Sequence, residues 1–543
     1  MDQIIEGYVV DILKQSIYYA RIYFDSHIKK IEPCEPGSSS VFMMPGLVDA
    51  HVHIESSMLP PSEFARLALS KGTLCAVADP HEIANVLGVD GIRFMEMDAQ
   101  KVSFHFVFGA PSCVPATTFD LSGAKISSED IEDLFAENRV QFLSEMMNYP
   151  GVIHHDPEVI AKIDVARKYH KPVDGHAPGL SGADLEQYIK SGISTDHEAS
   201  TLKEAEEKIE KGMKILIREG SAAKNFEALS PLIDQYPDKV MLCTDDLHPD
   251  DLINGHINNL LSRGVAKGFN LFSLLKAAIL NPVQHYDIDM GLLQIGDPAD
   301  FIVVDDLQNF NISQSYIAGE CLYNRSGEES CKRDNLVDHY PNSFGASKIQ
   351  VEDLEVIAST EKMKVIQVVD GELITNKILY PVSIGQSISS DIGNDILKIV
   401  LLNRYKEVKP IVGFIKGFGL SDGALVSSVA HDSHHIIAVG CSDSLIVEAV
   451  NKIVDFKGGL VALDNKSAIS LHLDIAGLMS SDCGEEVARK YELLNMKAAE
   501  MGSRLKAPFM TLSFMALLVI PELKIGENGL FDVKQFCWTN LFE

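Results

Sequence analysis

Along the first 45 residues apolar and polar positions alternate in short runs, Tyr8-Val9-Val10 and then Ser16-Ile17-Tyr18-Tyr19-Ala20-Arg21-Ile22-Tyr23. Glu35-Pro36-Gly37-Ser38-Ser39-Ser40 breaks the pattern as a loop. Such runs predict half-buried strands with a turn-rich boundary. From Pro45 the pattern changes: short apolar runs recur, most of them closing on an ionisable residue and followed by a helical stretch. They are Gly46–His53, Thr73–Asp79, Ser103–Gly109, Val140–Glu145, Pro172–His176, Ile193–His197, Met213–Arg218 and Val240–Asp245. Strand-then-helix text predicts parallel strands joined by crossover helices, and eight such units in about 200 residues predict an α/β fold, a (β/α)8 TIM-like barrel. A doubly wound open sheet is the alternative, because periodicity does not reveal closure.

After Asn281-Pro282 a β-rich patch returns, Gly291 to Asp300 and then Phe301-Ile302-Val303-Val304, similar in character to residues 1–45. The expected domains are therefore a small β-sandwich from the flanks (1–45 plus 286–325), the barrel (46–285), a polar linker over 325–349, and a C-terminal α/β or α+β domain (350–543). No stretch reaches the length of about 20 apolar residues that a membrane span needs. The longest, Phe509 to Ile520, stops at Pro521.

Charge narrows the partners. The 543 residues carry 47 Lys+Arg against 77 Asp+Glu, a net −30. That surface repels phosphate backbones and anionic headgroups, so neither nucleic acid nor membrane is an expected partner, and a neutral or cationic metabolite fits better. The 9 cysteines are scattered with no C-x-x-C pair, which predicts neither a disulfide framework nor a thiolate metal site. Met1-Asp2-Gln3-Ile4-Ile5-Glu6 lacks the basic and apolar regions of a signal peptide, so a cytoplasmic location is expected.

Candidate chemistry gathers at the strand ends. In Asp49-Ala50-His51-Val52-His53 residues two apart face one side of a strand, so His51 and His53 project together, as does Asp49. Glu145, His176, His197 and Asp245 close four further runs. In a barrel these ends share one mouth, and six N/O ligands suit two divalent metals with one carboxylate able to bridge them.

Pro45-Gly46-Leu47-Val48-Asp49-Ala50-His51-Val52-His53, with the later Gly296-Asp297-Pro298-Ala299-Asp300, resembles the amidohydrolase superfamily. Further segments narrow the likeness: His53-Ile54-Glu55-Ser56-Ser57-Met58, Asp79-Pro80-His81-Glu82-Ile83, Ser144 to Gly151, Ile217-Arg218-Glu219-Gly220-Ser221-Ala222, Cys243-Thr244-Asp245-Asp246, Val429 to His434 and Ile475 to Ser480. Together they resemble the bacterial adenine deaminases over essentially the whole chain.

The resemblance implies hydrolysis of adenine to hypoxanthine and ammonia, with His51, His53, Glu145, His176, His197 and Asp245 holding a binuclear centre. The same chemistry on another amino-purine or a cyclic amide is the alternative. Mn2+ or Fe2+ is expected over Zn2+, and a homodimer is the family-level expectation. Two cations would bring a shared water's pKa near neutrality, with Asp245 taking its proton and Glu145 and His81 also in catalytic roles. Asp79, Glu55, Ser57, Arg218, Glu219 and Ser221 are the candidate substrate contacts. A turn at Asp79-Pro80, an Arg218–Glu219 ion pair and a Ser57 cap are the structural readings of the same residues. His431-Asp432-Ser433-His434-His435 has metal-like spacing, though hydrogen-bonded loop structure is the commoner outcome; it is expected to pack over the barrel mouth.

Overall fold

The early alternation folds as a meander in which Gln3–Asp11, Ser16–Phe24 and Ile28–Pro33 pair antiparallel in sequence. This is seen in a computed structural model that describes residues 3–117, 119–221, 223–327 and 340–543. Phe42–Pro45 then lies parallel to the first strand and antiparallel to Phe301–Val304, which continues into Ile312–Ile317 and Glu320–Asn324. Both flanks of the barrel thus share one seven-stranded sheet. Phe24, with its ring 5.1 Å from that of Phe301, seals the seam between them.

Eight parallel strands form the barrel. Leu47–Val52, Thr73–Ala78, His105–Ala110, Phe142–Met146 and Val173–Gly175 pair in order, and so do Thr195–Asp196, Lys214–Arg218 and Val240–Cys243. Single parallel bridges, Val173 to Ile193 and Val52 to Asp245, join the two groups at both ends and close the ring. That closure excludes the open doubly wound sheet. The first two strands are buried along their whole length, as strands covered on both faces must be.

Asp49 locks strand one to strand eight. Its carboxylate accepts from Thr244 N at 3.0 Å and from Thr244 Oγ1, and lies 3.0 Å from His256 Nε2. It therefore sits beneath the mouth and does not project with His51 and His53 as the period-two pattern suggests, because the polar groups that can satisfy a buried carboxylate lie on strand eight.

Residues 340–543 build a mixed eight-stranded sheet with Ile396–Leu402, Ala424–Ser427 and Ile436–Gly440 at its centre. The helix Asp443–Phe456 covers one face through Leu445, Ile446, Ala449, Val450 and Ile453. The opposite face shares a continuous apolar core with Val52, Ile54, Met58 and Leu59 of the barrel. Of the expected linker, residues 328–339 lie outside the described residues. Among those described, no helix is long and apolar enough to cross a membrane. Among the described residues seven cysteines are free and Cys483 is disulfide-bonded, whereas the scattered spacing predicts no disulfide framework.

Candidate metal centre

Each expected ligand stands at the end of a barrel strand or one or two residues beyond it. His51 closes the first strand with Val52, and His53 follows it. Glu145 lies at the end of Phe142–Met146, His176 follows Gly175, His197 follows Asp196, and Asp245 comes two residues after Cys243. Parallel strands put these ends at one rim, and the side chains meet there. His53 Nε2 lies 3.1 Å from Asp245 Oδ1 and 3.4 Å from Glu145 Oε1. His51 Nε2 is 3.6 Å from the same Asp245 oxygen, and the His51 ring stacks on His197 at 4.3 Å. The other Glu145 oxygen, Oε2, is 2.7 Å from His176 Nδ1 and 3.1 Å from His197 Nε2. Glu145 thus divides the cluster, with Oε1 toward His53 and His81 and Oε2 toward His176 and His197.

This donor set fits divalent metal ions. Both ring nitrogens of His51 are buried with no hydrogen-bond partner, a costly state for polar atoms unless something else binds them. His53 Nδ1 faces the Asp79 carbonyl at 3.1 Å. Donation to that carbonyl leaves Nε2 bare and aimed at the cluster, the arrangement by which an outer hydrogen bond fixes a ligating tautomer. Asp245 has a left-handed backbone, φ 60°, uncommon outside glycine, though aspartate, asparagine and histidine adopt it more readily than other residues. Its N–H still donates to His51 O and its carbonyl accepts from His53 N. Strand-one pairing therefore holds the unusual turn that aims the carboxylate inward.

Other predicted residues divide between the mouth and the walls. His81 Nδ1 is 3.2 Å from Asp79 Oδ2 and 3.5 Å from Glu145 Oε1. Asp79 Oδ1 and Glu55 Oε2 are buried without partners, and burial raises the Glu55 carboxyl to about 7. Arg218 pairs with Glu198, at 2.5 Å, and with Asp245, rather than with its neighbour Glu219. Against burial, which alone would raise it, the Arg218 guanidinium holds the Asp245 carboxyl well below its ordinary range. Glu219 turns outward to Arg263 at 2.5 Å, Ser221 Oγ donates to Asp251, and Ser57 Oγ donates to the Ile54 carbonyl. These last three lie outside the cluster.

The sequence reading omitted several groups at the mouth. Glu198 sits between Arg218, His176 and His197, and Asp246 accepts from Ser56 Oγ at 2.5 Å. Both are immediate neighbours of predicted ligands, and that adjacency was the available signal. From the C-terminal unit come His431 and Asp432, together with Leu373, Phe514, Leu517 and Ile520, which line the same cavity as His53, His81, Glu145 and Asp245. The expectation that the His431 segment covers the mouth thus corresponds to a contact. An apolar roof lies over a charged floor, an arrangement that excludes water and strengthens every charge interaction inside.

The chain matches two family models: an amidohydrolase family over residues 42–322, and an adenine deaminase C-terminal domain over residues 372–537. A protein named adenine deaminase from Methanosarcina mazei is 50% identical, covering 99% of this chain and 99% of its own. Another of that name from Sulfurovum sp. is 51% identical, covering 97% of each chain. Among solved structures, a β-aspartyl dipeptidase from Fervidobacterium islandicum AW-1 aligns with 62% of this chain and 100% of its own, at 16% identity and a TM-score of 0.45.

Proposed function

The chain belongs to the adenine deaminase family of amidohydrolases, and from that membership we propose that it hydrolyses adenine to hypoxanthine and ammonia at two divalent metal ions held by His51, His53, Glu145, His176, His197 and Asp245. The observation that carries this reading is Glu145, a single carboxylate whose two oxygens face two separate sets of imidazoles. A ligand set of nitrogen and oxygen without thiolate suits Mn2+ or Fe2+. When bound, the ions supply a water acidic enough to attack near neutral pH.

The protein's own groups then handle protons and position. Asp245 receives the proton of the attacking water at Oδ1, while Arg218 holds Oδ2 and keeps the carboxylate ionised beforehand. His81, oriented by Asp79, holds a proton within reach of Glu145 and passes it toward the ring or the departing amine. Glu55 Oε2 and Asp79 Oδ1, two of the buried acceptors without a partner, receive the purine's N–H groups. Leu373, Phe514, Leu517 and Ile520 exclude bulk water from the base. Ser57, Glu219 and Ser221 support the walls of the pocket through their own hydrogen bonds.

In the same reading, the seven-stranded sheet is a small β-sandwich, residues 350–543 form a C-terminal α/β domain, and the enzyme is a homodimer. A cytoplasmic location belongs to the same reading. The test is incubation of manganese- or iron-loaded protein with adenine, with adenosine, guanine, cytosine and N6-methyladenine for comparison. Hypoxanthine and ammonia in equal amounts from adenine support the reading. Turnover of another amino-purine or of a cyclic amide, with adenine untouched, moves the substrate assignment.

A further inference from the structure

The cluster that the family likeness leaves without a role joins the C-terminal unit to the barrel. Glu82, one residue after His81, accepts hydrogen bonds from two imidazoles of the other unit, His431 Nδ1 at Oε1 and His434 Nε2 at Oε2. All three residues are buried. Glu82 Oε1 also lies 3.5 Å from His81 Nε2, and His431 and Asp432 line the cavity over the metal residues. One carboxylate and two imidazoles at this spacing have the look of a metal site.

The tautomer of His434 decides otherwise. The backbone N–H of Ala430 donates to His434 Nδ1 at 3.3 Å, so that nitrogen is unprotonated. A neutral imidazole with a bare Nδ1 carries its hydrogen on Nε2, and an Nε2–H can donate to Glu82 but cannot ligate a cation. Metal-ligating histidines show the reverse pattern, with the second nitrogen donating outward. The backbone that carries the ring is held as well: the fully buried Arg404 donates to the His434 carbonyl at 3.4 Å and to the Ala476 carbonyl at 2.7 Å.

We propose that His434 is a positioning residue for the deamination, its Nε2–H holding the Glu82 carboxylate, together with His431, in the place that leaves His81 free to face Asp79 and Glu145. Without that donor, a buried carboxylate seeks another. His81 Nε2 already lies 3.5 Å from Glu82 Oε1, so the imidazole is drawn further toward that carboxylate and away from the reacting centre. The proposal rests on the deaminase reading above, in which His81 handles protons. It makes the C-terminal unit part of the catalytic machinery as well as its roof.

Two substitutions separate positioning from mere folding. The side-chain amide of Asn reproduces the Nδ1 position of histidine and that of Gln the Nε2 position. H434N therefore keeps the acceptor for Ala430 N–H but loses the donor to Glu82, whereas H434Q keeps the donor. Measured on full-length, metal-loaded protein with adenine, H434N should lose about 10–100-fold in kcat, the range for lost outer hydrogen bonds. Its KM should change less than threefold and its metal content not at all, and H434Q should recover most of the rate. Equal loss in both variants, or wild-type kcat in H434N, would overturn the proposal. So would the disappearance of a third equivalent of metal in H434N. If the wild-type enzyme itself leaves adenine unchanged, it is the deaminase reading that fails, and the comparison of variants is not reached.

Discussion

Arg218 donates its Nη1 to Oδ2 of Asp245, while the other oxygen of that carboxylate stands 3.1 Å from His53 Nε2. The two oxygens face different demands, one toward a fixed cation and one toward the imidazole of His53. A carboxylate held this way stays ionised and keeps one oxygen ready for a proton. Asp245→Asn retains shape and a ligand oxygen but removes that capacity. It should lower kcat by about 10²–10⁴-fold, the usual worth of a positioned acid–base group, with metal content near that of the wild type. Steady-state kinetics with metal analysis checks it, and a variant keeping both metals and most of its rate would remove Asp245 from its role.

Arg218 was open to a substrate-contact reading, but its guanidinium is engaged by Glu198 and Asp245 inside the mouth. Arg218→Met should therefore leave two buried carboxylates facing each other, with a loss of about 3–5 kcal/mol in stability as well as activity. Glu219→Gln should change kcat and KM by less than twofold, since Glu219 pairs with the half-exposed Arg263. Chemical denaturation and kinetics on the two variants separate these cases. Weakened adenine binding in Glu219→Gln at full stability would return that residue to the substrate contacts.

Lys208 offers a second test of how ligands are held. Its ammonium is fully buried and donates to Asp196 Oδ2 at 2.8 Å, while Asp196 Oδ1 accepts from Ala177 N, next to His176. Lys208→Met should cost about 3–5 kcal/mol by stranding the Asp196 charge. The double variant Lys208→Met/Asp196→Asn should recover part of that loss. Urea unfolding of the three proteins measures it, and an undiminished loss in the double variant would show that packing, not charge, dominates there.

The roof over the site should respond to pH. Lys524 is buried, donates to the carbonyls of Leu373 and Phe514, and burial lowers its ammonium to about 7 from the ordinary 10.5. Between those values the unfolded chain holds a proton that the folded chain does not, so stability rises with pH. The contribution is complete above the unfolded value and is lost as pH falls toward about 7. Its slope is about 1.4 kcal/mol per pH unit. Unfolding free energies from pH 7 to 9.5 should rise in the wild type relative to Lys524→Met. Parallel curves for the two would place that lysine's proton elsewhere.

Much of the barrel, and the gathering of His51, His53, Glu145, His176, His197 and Asp245 at its mouth, was legible because both follow local rules. Apolar runs ending in His, Glu or Asp mark parallel strands, and alternation puts His51 and His53 on one side. Asp49 shares their spacing yet does not join them, because the strand register shifts between Asp49 and Val52 and its carboxylate pairs with Thr244. The preference of Arg218 for Glu198 over its chain neighbour depends on how strand seven lies against strand six, which periodicity does not encode. Glu82 was equally hidden, since its partners come from residues about 350 positions away on another unit.

If two metal ions bound by one cluster carry the reaction, titration of metal-free protein reveals both. Mn2+ or Fe2+ is added stepwise while hypoxanthine formation from adenine is followed. Activity should climb to a break at two equivalents per chain and then level off, and His51→Ala or Glu145→Ala should abolish the climb. A break at one equivalent, or adenine left intact at metal saturation, would contradict the paired centre.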